Sequence, residues 1–420
     1  MTILATILSG LSLLMSVLFF VRLKFPQGFY LVPTKLIAGA LSPYWAIMGA
    51  VGAVIGWGYQ ALWAIPMGIL GAGIMVTYVW RCTREHDGFE KAFGPGWSDQ
   101  ILPQQARHMA QKRWTWFLRM GASPEPTVER DIPFWTVPGT DRQLLCDLWR
   151  PTDGNVSGLA LVYIHGGAWY YMDKDMLTRP FFRHLVAQGH TVMDVGYRLC
   201  PKVDIRGMTG DVKHAIAWIK ANADRYGVSP EKIVLCGASA GGHLALLAGY
   251  APQHPELTPE DLQSADLSAC GVISYYGPTD LLAEYQHTNQ QRLLDIDPPP
   301  VPIGPDSTLN VGPDGWRMDL LLGGWPQDAL DTWELASPTT HVRPSCPPTM
   351  LLQGNQDLIT PVDATRALCT QLVESGVPAI NLVFPWTDHA FDLFLPQVSP
   401  SAQSALYDVD RFLALLSKKG

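Results

Sequence analysis

Ser239 sits in the middle of Gly237-Ala238-Ser239-Ala240-Gly241, directly after the apolar run Ile233-Val234-Leu235-Cys236. That run reads as a strand and residues 242–249 read as a helix, so the serine occupies a strand-to-helix turn. Gly-x-Ser-x-Gly in that setting is a nucleophile elbow. Its neighbours must be small because the turn is sharp, and the helix N-terminus favours developing negative charge. A serine hydroxyl is a weak nucleophile alone. It needs a base to take its proton, an acid to hold the base, and N–H donors for the oxyanion. The run His165-Gly166-Gly167-Ala168-Trp169 follows the apolar Leu159–Ile164. Its small residues let backbone N–H groups approach a carbonyl, so Gly167, Ala168 and Ala240 are the expected oxyanion donors. Asp357 follows Met350-Leu351-Leu352 and is the expected acid, with Asp280 as a competitor that reads better as a loop tie. His389 is the one histidine downstream of Asp357 and is the expected base. His165 precedes the serine and reads as a structural residue of its loop. Asp388 and Asp392 flank His389, but a sequence neighbour points away from the ring it adjoins.

These residues must be carried by alternating strands and helices. Residues 134–137 and 144–148 read as a leading hairpin. Residues 159–164, 191–195, 232–236, 270–275, 349–352 and 380–384 read as further strands, and 181–188, 212–222 and 242–249 as helices. That alternation predicts an α/β fold: a mostly parallel central sheet flanked by helices. Residues 283–332 interrupt the rhythm with Pro298-Pro299-Pro300 and several turn dipeptides, and read as an insertion over the site. Trp169 and Tyr170, beside the oxyanion run, are candidate substrate contacts, and packing is the alternative for both.

Taken together, the motifs resemble those of the hormone-sensitive lipase and carboxylesterase-like branch of the α/β-hydrolases. Similar runs occur in isoprenylcysteine methylesterases, kynurenine formamidase-like enzymes and arylacetamide deacetylases. Supporting runs are Gly196-Tyr197-Arg198-Leu199 with Pro201, Asp211, Ala336-Ser337-Pro338 and Pro347-Pro348. Two positions depart from the commoner pattern: Ala168 stands for a third glycine, and Ala390 follows the histidine where glycine is usual. The resemblance covers about residues 130–417. It implies a serine esterase or lipase working through Ser239, His389 and Asp357 and an acyl-enzyme, with no cofactor and no metal.

The 420 residues include 47% hydrophobic and 16% charged side chains, against about 25% charged in ordinary soluble domains. The deficit is concentrated near the N-terminus. Residues 3–21 and 36–80 carry no charge. Lengths of about 20 apolar residues suit bilayer-spanning helices, predicting three of them over 3–21, 36–56 and 61–80, with a turn at 56–60. A cleaved signal peptide would need a basic start, and a buried soluble hairpin would be unusually free of charge. Arg22, Lys24 and Lys35, then Arg81, Arg84 and Lys91, fall two crossings apart. The positive-inside rule places that side, and the catalytic part, in the cytoplasm.

The expected organisation is therefore a transmembrane region over 1–84, a connector over 85–128 with an amphipathic helix at 104–120, and a catalytic domain over 129–420. Seven scattered cysteines without a Cys-x-x-Cys pair argue against a disulfide framework or zinc site. A net charge of −8 without basic blocks argues against nucleic acid. The expected partners are a small ester, lipophilic by analogy with membrane-attached members of the family, and the bilayer. Two other readings use the same residues: a membrane acyltransferase passing the acyl group to an alcohol, and a catalytically silent membrane scaffold. Oligomeric state is not legible.

Overall fold

Apolar runs flanked by turn residues become strands. β1 (Thr127–Thr136), β2 (Gln143–Arg150), β3 (Gly158–Ile164), β4 (Thr191–Val195), β5 (Val228–Ala238), β6 (Gly271–Tyr275), β7 (Thr349–Gly354) and β8 (Ala379–Phe384) form one sheet in the order β1-β2-β4-β3-β5-β6-β7-β8. The computed structural model describes residues 1–24, 27–120, 125–152, 154, 156–290 and 317–418. β1, β2 and β4 pair antiparallel, and β4 through β8 run parallel. Parallel strands need cover on both faces, and alternation along each strand supplies it. On β5, Leu235 faces one buried cluster with Val212, Ile216 and Leu247, while Val234 and Cys236 face another with Phe182, Val409 and Phe412.

The N-terminal apolar stretch forms α1 (Thr2–Val17), α2 (Val32–Ala40), α3 (Ser42–Gly58) and α4 (Ala64–Thr83). The expected helix over 36–56 is corrected: α2 and α3 meet at a bend of 73°. The break falls at Leu41, and the cause is Pro43 in the first turn of α3, because a proline has no N–H to continue the helix and its ring clashes with the carbonyl four residues back. α3 then runs to Gly58, and the chain turns with Gln60 at φ +55. Among the described residues two helical stretches, Thr2–Phe20 and Ala64–Phe93, are long and apolar enough to cross a bilayer, or three if the bent pair counts as one. The bundle buries small and hydroxyl side chains: Ser9, Ser12, Gly49, Gly52 and Gly68 face inward. A Cβ on Gly68 would lie 2.3 Å from the carbonyl oxygen of Gly49, so the two backbones touch. Ile3, Ile7, Leu14, Val54, Ile69 and Val76 point outward.

α5 (Gly88–Phe93) and α6 (Pro103–Ala106) follow. The amphipathic helix expected over 104–120 is not formed: beyond Ala106 the chain is irregular. Its backbone donors are taken up elsewhere. Ala110 N–H donates to Asp410 and Thr115 N–H to Gln403, while Arg113 makes a two-pronged pair with Asp408. Side-chain acceptors offering this alternative outcompete local helix formation.

The remaining helices flank the sheet: α7 (Arg179–Ala187), α8 (Ile205–Ala221), α9 (Ala223–Tyr226), α10 (Ala240–Tyr250), α11 (Leu281–Gln290), α12 (Met318–Leu322), α13 (Pro326–Ala336), α14 (Val362–Glu374) and α15 (Pro400–Ser417). The interruption expected over 283–332 is therefore helical at both flanks, and its Pro-rich centre, 291–316, lies outside the described residues. α15 is buried along nearly its whole length. Phe19, Leu36 and Tyr78 of the N-terminal region join Val409, Phe412 and Leu358 in one cluster.

Candidate active site

β5 delivers Ser239 directly into α10. The serine adopts φ +54, ψ −124, a conformation that costs energy for a residue with a Cβ and persists where the surroundings enforce it. Its N–H donates to the Tyr275 carbonyl at 2.8 Å, and its carbonyl accepts from His243 N–H at 3.0 Å. The glycine after it is required by space, since a Cβ on Gly241 would fall 2.0 Å from the Ile164 carbonyl oxygen. That same closeness sets the end of β3 against the elbow, where Ile164 is in register with Gly237.

The structure brings Ser239, His389 and Asp357 together. His389 Nε2 lies 3.0 Å from Ser239 Oγ, and His389 Nδ1 lies 2.9 Å from Asp357 Oδ2. Asp357 Oδ1 accepts the N–H groups of Ile359 and Thr360, each at 2.9 Å. A carboxylate saturated with donors accepts from the ring as well, so Nδ1 carries the imidazole proton and Nε2 is left to accept from the serine hydroxyl. Asp357 and His389 are buried while Ser239 is half-buried. The nucleophile is therefore the reachable member of the set. Asp280 takes a different place: its side chain accepts from Ala283 N–H and caps α11.

The run expected to supply oxyanion donors turns tightly after β3. Gly167 has φ +120, followed by Ala168 at +49 and Trp169 at +65. The Gly167 carbonyl accepts from Tyr170 and Tyr171 N–H at 3.0 and 2.9 Å, closing the turn. A Cβ on Gly167 would sit 2.1 Å from the Tyr171 carbonyl oxygen. Ala240 is the first residue of α10, where a backbone N–H has no partner within the helix. His165 holds the loop: its Nδ1 lies 2.7 Å from the Gly166 carbonyl oxygen, its ring stacks on Tyr197, and burial lowers its pKa to about 4.

Trp169 is packed inside: the residue is 2% exposed and its Nε1–H donates to His243 at 3.2 Å, while His243 Nε2–H donates to the Ala336 carbonyl. Burial lowers the His243 pKa to about 4, which keeps the ring neutral for both bonds. Tyr170 is also mostly buried, and its hydroxyl donates to the Arg317 carbonyl, tying this turn to the C-terminal flank of the 291–316 segment.

Tyr276 and Glu284, near the triad, were not singled out from sequence, and Asp388 and Lys35 take places that it did not assign. The Tyr276 ring lies 4.4 Å from that of His389, and its hydroxyl donates to Asp392. Glu284 on α11 is buried, and burial together with the Asp357 charge raises its carboxyl well above the usual range. Asp388 points away from the imidazole, as expected of a neighbour, and pairs with Lys35. Lys35 is therefore not a surface charge between two spans. Its place as the last charge before a 45-residue uncharged stretch is the one sequence feature that sets it apart, and it does not point to a partner 353 residues away.

Among the described residues no group of three or more His, Cys, Asp or Glu side chains could hold a metal ion. The arrangement that is present, an ordered hydroxyl–imidazole–carboxylate relay under a tight small-residue turn, can activate a serine oxygen toward a carbonyl carbon.

The BD-FAE family model matches residues 146–372, over half of the chain. The chain is similar to LipM of Mycobacterium tuberculosis, a probable carboxylic ester hydrolase, with 32% identity over 273 residues that make up 64% of this chain and 57% of LipM. It is also similar to the esterase LipQ of that organism, at 28% identity over 73% of this chain and 69% of LipQ. The chain thus spans little more than half the length of LipM. Among solved structures, butyrate-bound esterase 2 of Thermogutta terrifontis superposes with a TM-score of 0.53 at 24% identity, covering 69% of this chain and 95% of that one. That likeness is one of fold: the mostly parallel sheet and its flanking helices match the α/β-hydrolase fold of that esterase.

Proposed function

The chain belongs to the BD-FAE family, and from that premise we propose that it is a serine carboxylic-ester hydrolase anchored in a membrane. The carrying observation is the continuous relay from Ser239 Oγ through His389 to Asp357, at 3.0 and 2.9 Å. His389 takes the serine proton as Oγ attacks the ester carbonyl. The tetrahedral oxyanion is held by the N–H groups of Gly167, Ala168 and Ala240. His389 then returns the proton to the leaving alcohol, and a water activated by the same imidazole hydrolyses the acyl-serine. Asp357 fixes the ring and stabilises its cation. The relatives' names, with butyrate bound to a fold neighbour, favour a simple acyl ester. A fluorophosphonate probe tests the reading, because it reacts only with an activated serine. Labelling at Ser239, lost in His389→Ala, supports it; an unlabelled Ser239 in folded protein overturns it.

The membrane part of the proposal rests on the bundle's inverted pattern. Small and hydroxyl residues line its interior and large aliphatic ones its outside. In water that arrangement is unfavourable, whereas in lipid close backbone approach replaces the hydrophobic effect as the source of helix association. Residues 1–84 then form the transmembrane region, with α2 as an elbow at its edge, 85–128 the connector and 129–420 the catalytic domain. Arg22, Lys24, Arg81 and Arg84 lie on the catalytic side, which the positive-inside rule makes cytoplasmic. Lipophilic esters arriving through the bilayer are the substrate class this favours. Resistance of the protein to extraction by alkaline carbonate tests the anchor; release into the soluble fraction overturns it.

A further inference from the structure

Lys35 and Asp388 form an ion pair at 3.0 Å whose side chains are 3% and 0% exposed. All three ammonium protons are used. Lys35 Nζ donates to Asp388 Oδ2 at 3.0 Å, to Gln356 Oε1 at 2.7 Å and to the Val21 carbonyl at 3.0 Å. The other oxygen of Asp388 accepts from Leu358 N–H at 3.2 Å and from His389 N–H at 3.0 Å. Leu358 follows Asp357, so one carboxylate joins the acid-bearing loop to the base-bearing loop. Gln356 completes the link, donating from Nε2 to the Phe19 carbonyl at 2.9 Å and from its backbone N–H to Thr387 at 3.0 Å.

We infer that Lys35, a residue of the N-terminal helical region, is a positioning residue for catalysis: by neutralising Asp388 it keeps the loops of Asp357 and His389 in register. The inference rests on the hydrolase reading above. The physics is that of a buried charge. As a carboxylate Asp388 accepts charge-assisted bonds from Leu358 and His389, and a buried carboxylate is tolerated only with a cation beside it. Without Lys35 the unpaired carboxylate draws water in or turns toward solvent, and either outcome displaces the loops. A displacement of about 1 Å at a catalytic group can cost on the order of 100-fold in rate. A staple that only attached the helical region to the sheet would lower stability and leave turnover intact, so the two roles separate in experiment.

The test compares full-length wild type, Lys35→Met and Lys35→Met/Asp388→Asn in detergent, with kcat and KM for p-nitrophenyl butyrate counted per fluorophosphonate-titrated site. Lys35→Met should lower kcat by about 10- to 100-fold with KM changed by less than about threefold. The double variant leaves no unpaired charge and should recover to within about fivefold of wild type. A folded Lys35→Met with kcat within about twofold of wild type overturns the inference, as does a double variant no better than Lys35→Met. If Lys35→Met does not fold, Gln356→Leu decides, because it leaves the Lys35–Asp388 pair in place and removes the uncharged contacts of the acid loop to Lys35 and to the Phe19 carbonyl. A kcat reduced about fivefold or more then supports the inference and an unchanged kcat overturns it. Active wild type with an indifferent Lys35→Met defeats this inference alone. Wild type that neither hydrolyses the ester nor labels at Ser239 defeats the hydrolase reading and this inference with it.

Discussion

His389 is held from several sides. Asp357 accepts from its Nδ1–H, Ser239 meets its Nε2, the Tyr276 ring covers it at 4.4 Å, and its backbone N–H donates to Asp388. Asp357→Asn would offer the ring a donor where it needs an acceptor and invert the tautomer, so kcat should fall by about 10³-fold or more in ester hydrolysis assays while the fold is retained. Asp392 makes a second prediction. Burial pushes its carboxyl up to about 6, against the pull of the Tyr276 hydroxyl, from an ordinary value of 3.8. Between those values the folded chain keeps a proton that the unfolded chain has lost. The stability this group contributes is therefore full below pH 3.8 and is lost as pH rises through about 6. Raising pH from about 4.5 to about 7 should lower the melting temperature of wild type more than that of Asp392→Asn, and equal responses would contradict it. The residues of the relay were legible because each sits at a strand end in a recognisable small-residue or Asp/His run. Lys35, Tyr276 and Gln356 were not, because their places come from contacts with residues more than a hundred positions away rather than from local pattern.

At the level of elements, the strand–elbow–helix unit leaves no slack. Gly241→Ala would place a methyl 2.0 Å from the Ile164 carbonyl oxygen, and the backbone rather than a flexible side chain would have to yield. The expected result is a stability loss at or above the usual overpacking range of about 1–3 kcal/mol, measured by denaturant unfolding, together with lost turnover. The β-strands were readable from sequence because parallel strands buried on both faces are nearly continuous apolar runs, as in Leu159–Ile164. The stretch over 104–120 was misread for a physical reason as well. Its spacing of Trp and Phe suits a helix, but Gln403, Asp408 and Asp410 on α15 capture its donors. Those acceptors lie nearly 300 residues downstream, beyond the reach of periodicity. The bend between α2 and α3 had a visible cause in Pro43, which composition alone does not weigh against a long uncharged run.

Across the whole molecule, the helical region and the sheet share buried contacts. Phe19 stacks on Tyr78 and on Trp386, the Arg81 guanidinium lies 4.7 Å from the centre of the Trp386 ring, and Tyr78 lies 3.1 Å from Thr387 through their hydroxyls. All of these meet the loop between β8 and His389. Removing residues 1–85 would uncover Trp386 and leave Asp388 without its cation, so the shortened chain should be less stable and less active even in detergent. A truncated form with wild-type kcat would show the region to be an anchor alone. The most direct measurement of the account is hydrolysis of p-nitrophenyl butyrate by the full-length, detergent-solubilised protein and by Ser239→Ala prepared identically. Wild type should turn over the ester, and the alanine variant should express and melt alike while its activity falls to near background. Retention of more than about 5% of wild-type turnover by Ser239→Ala would contradict the assignment of Ser239 as the nucleophile.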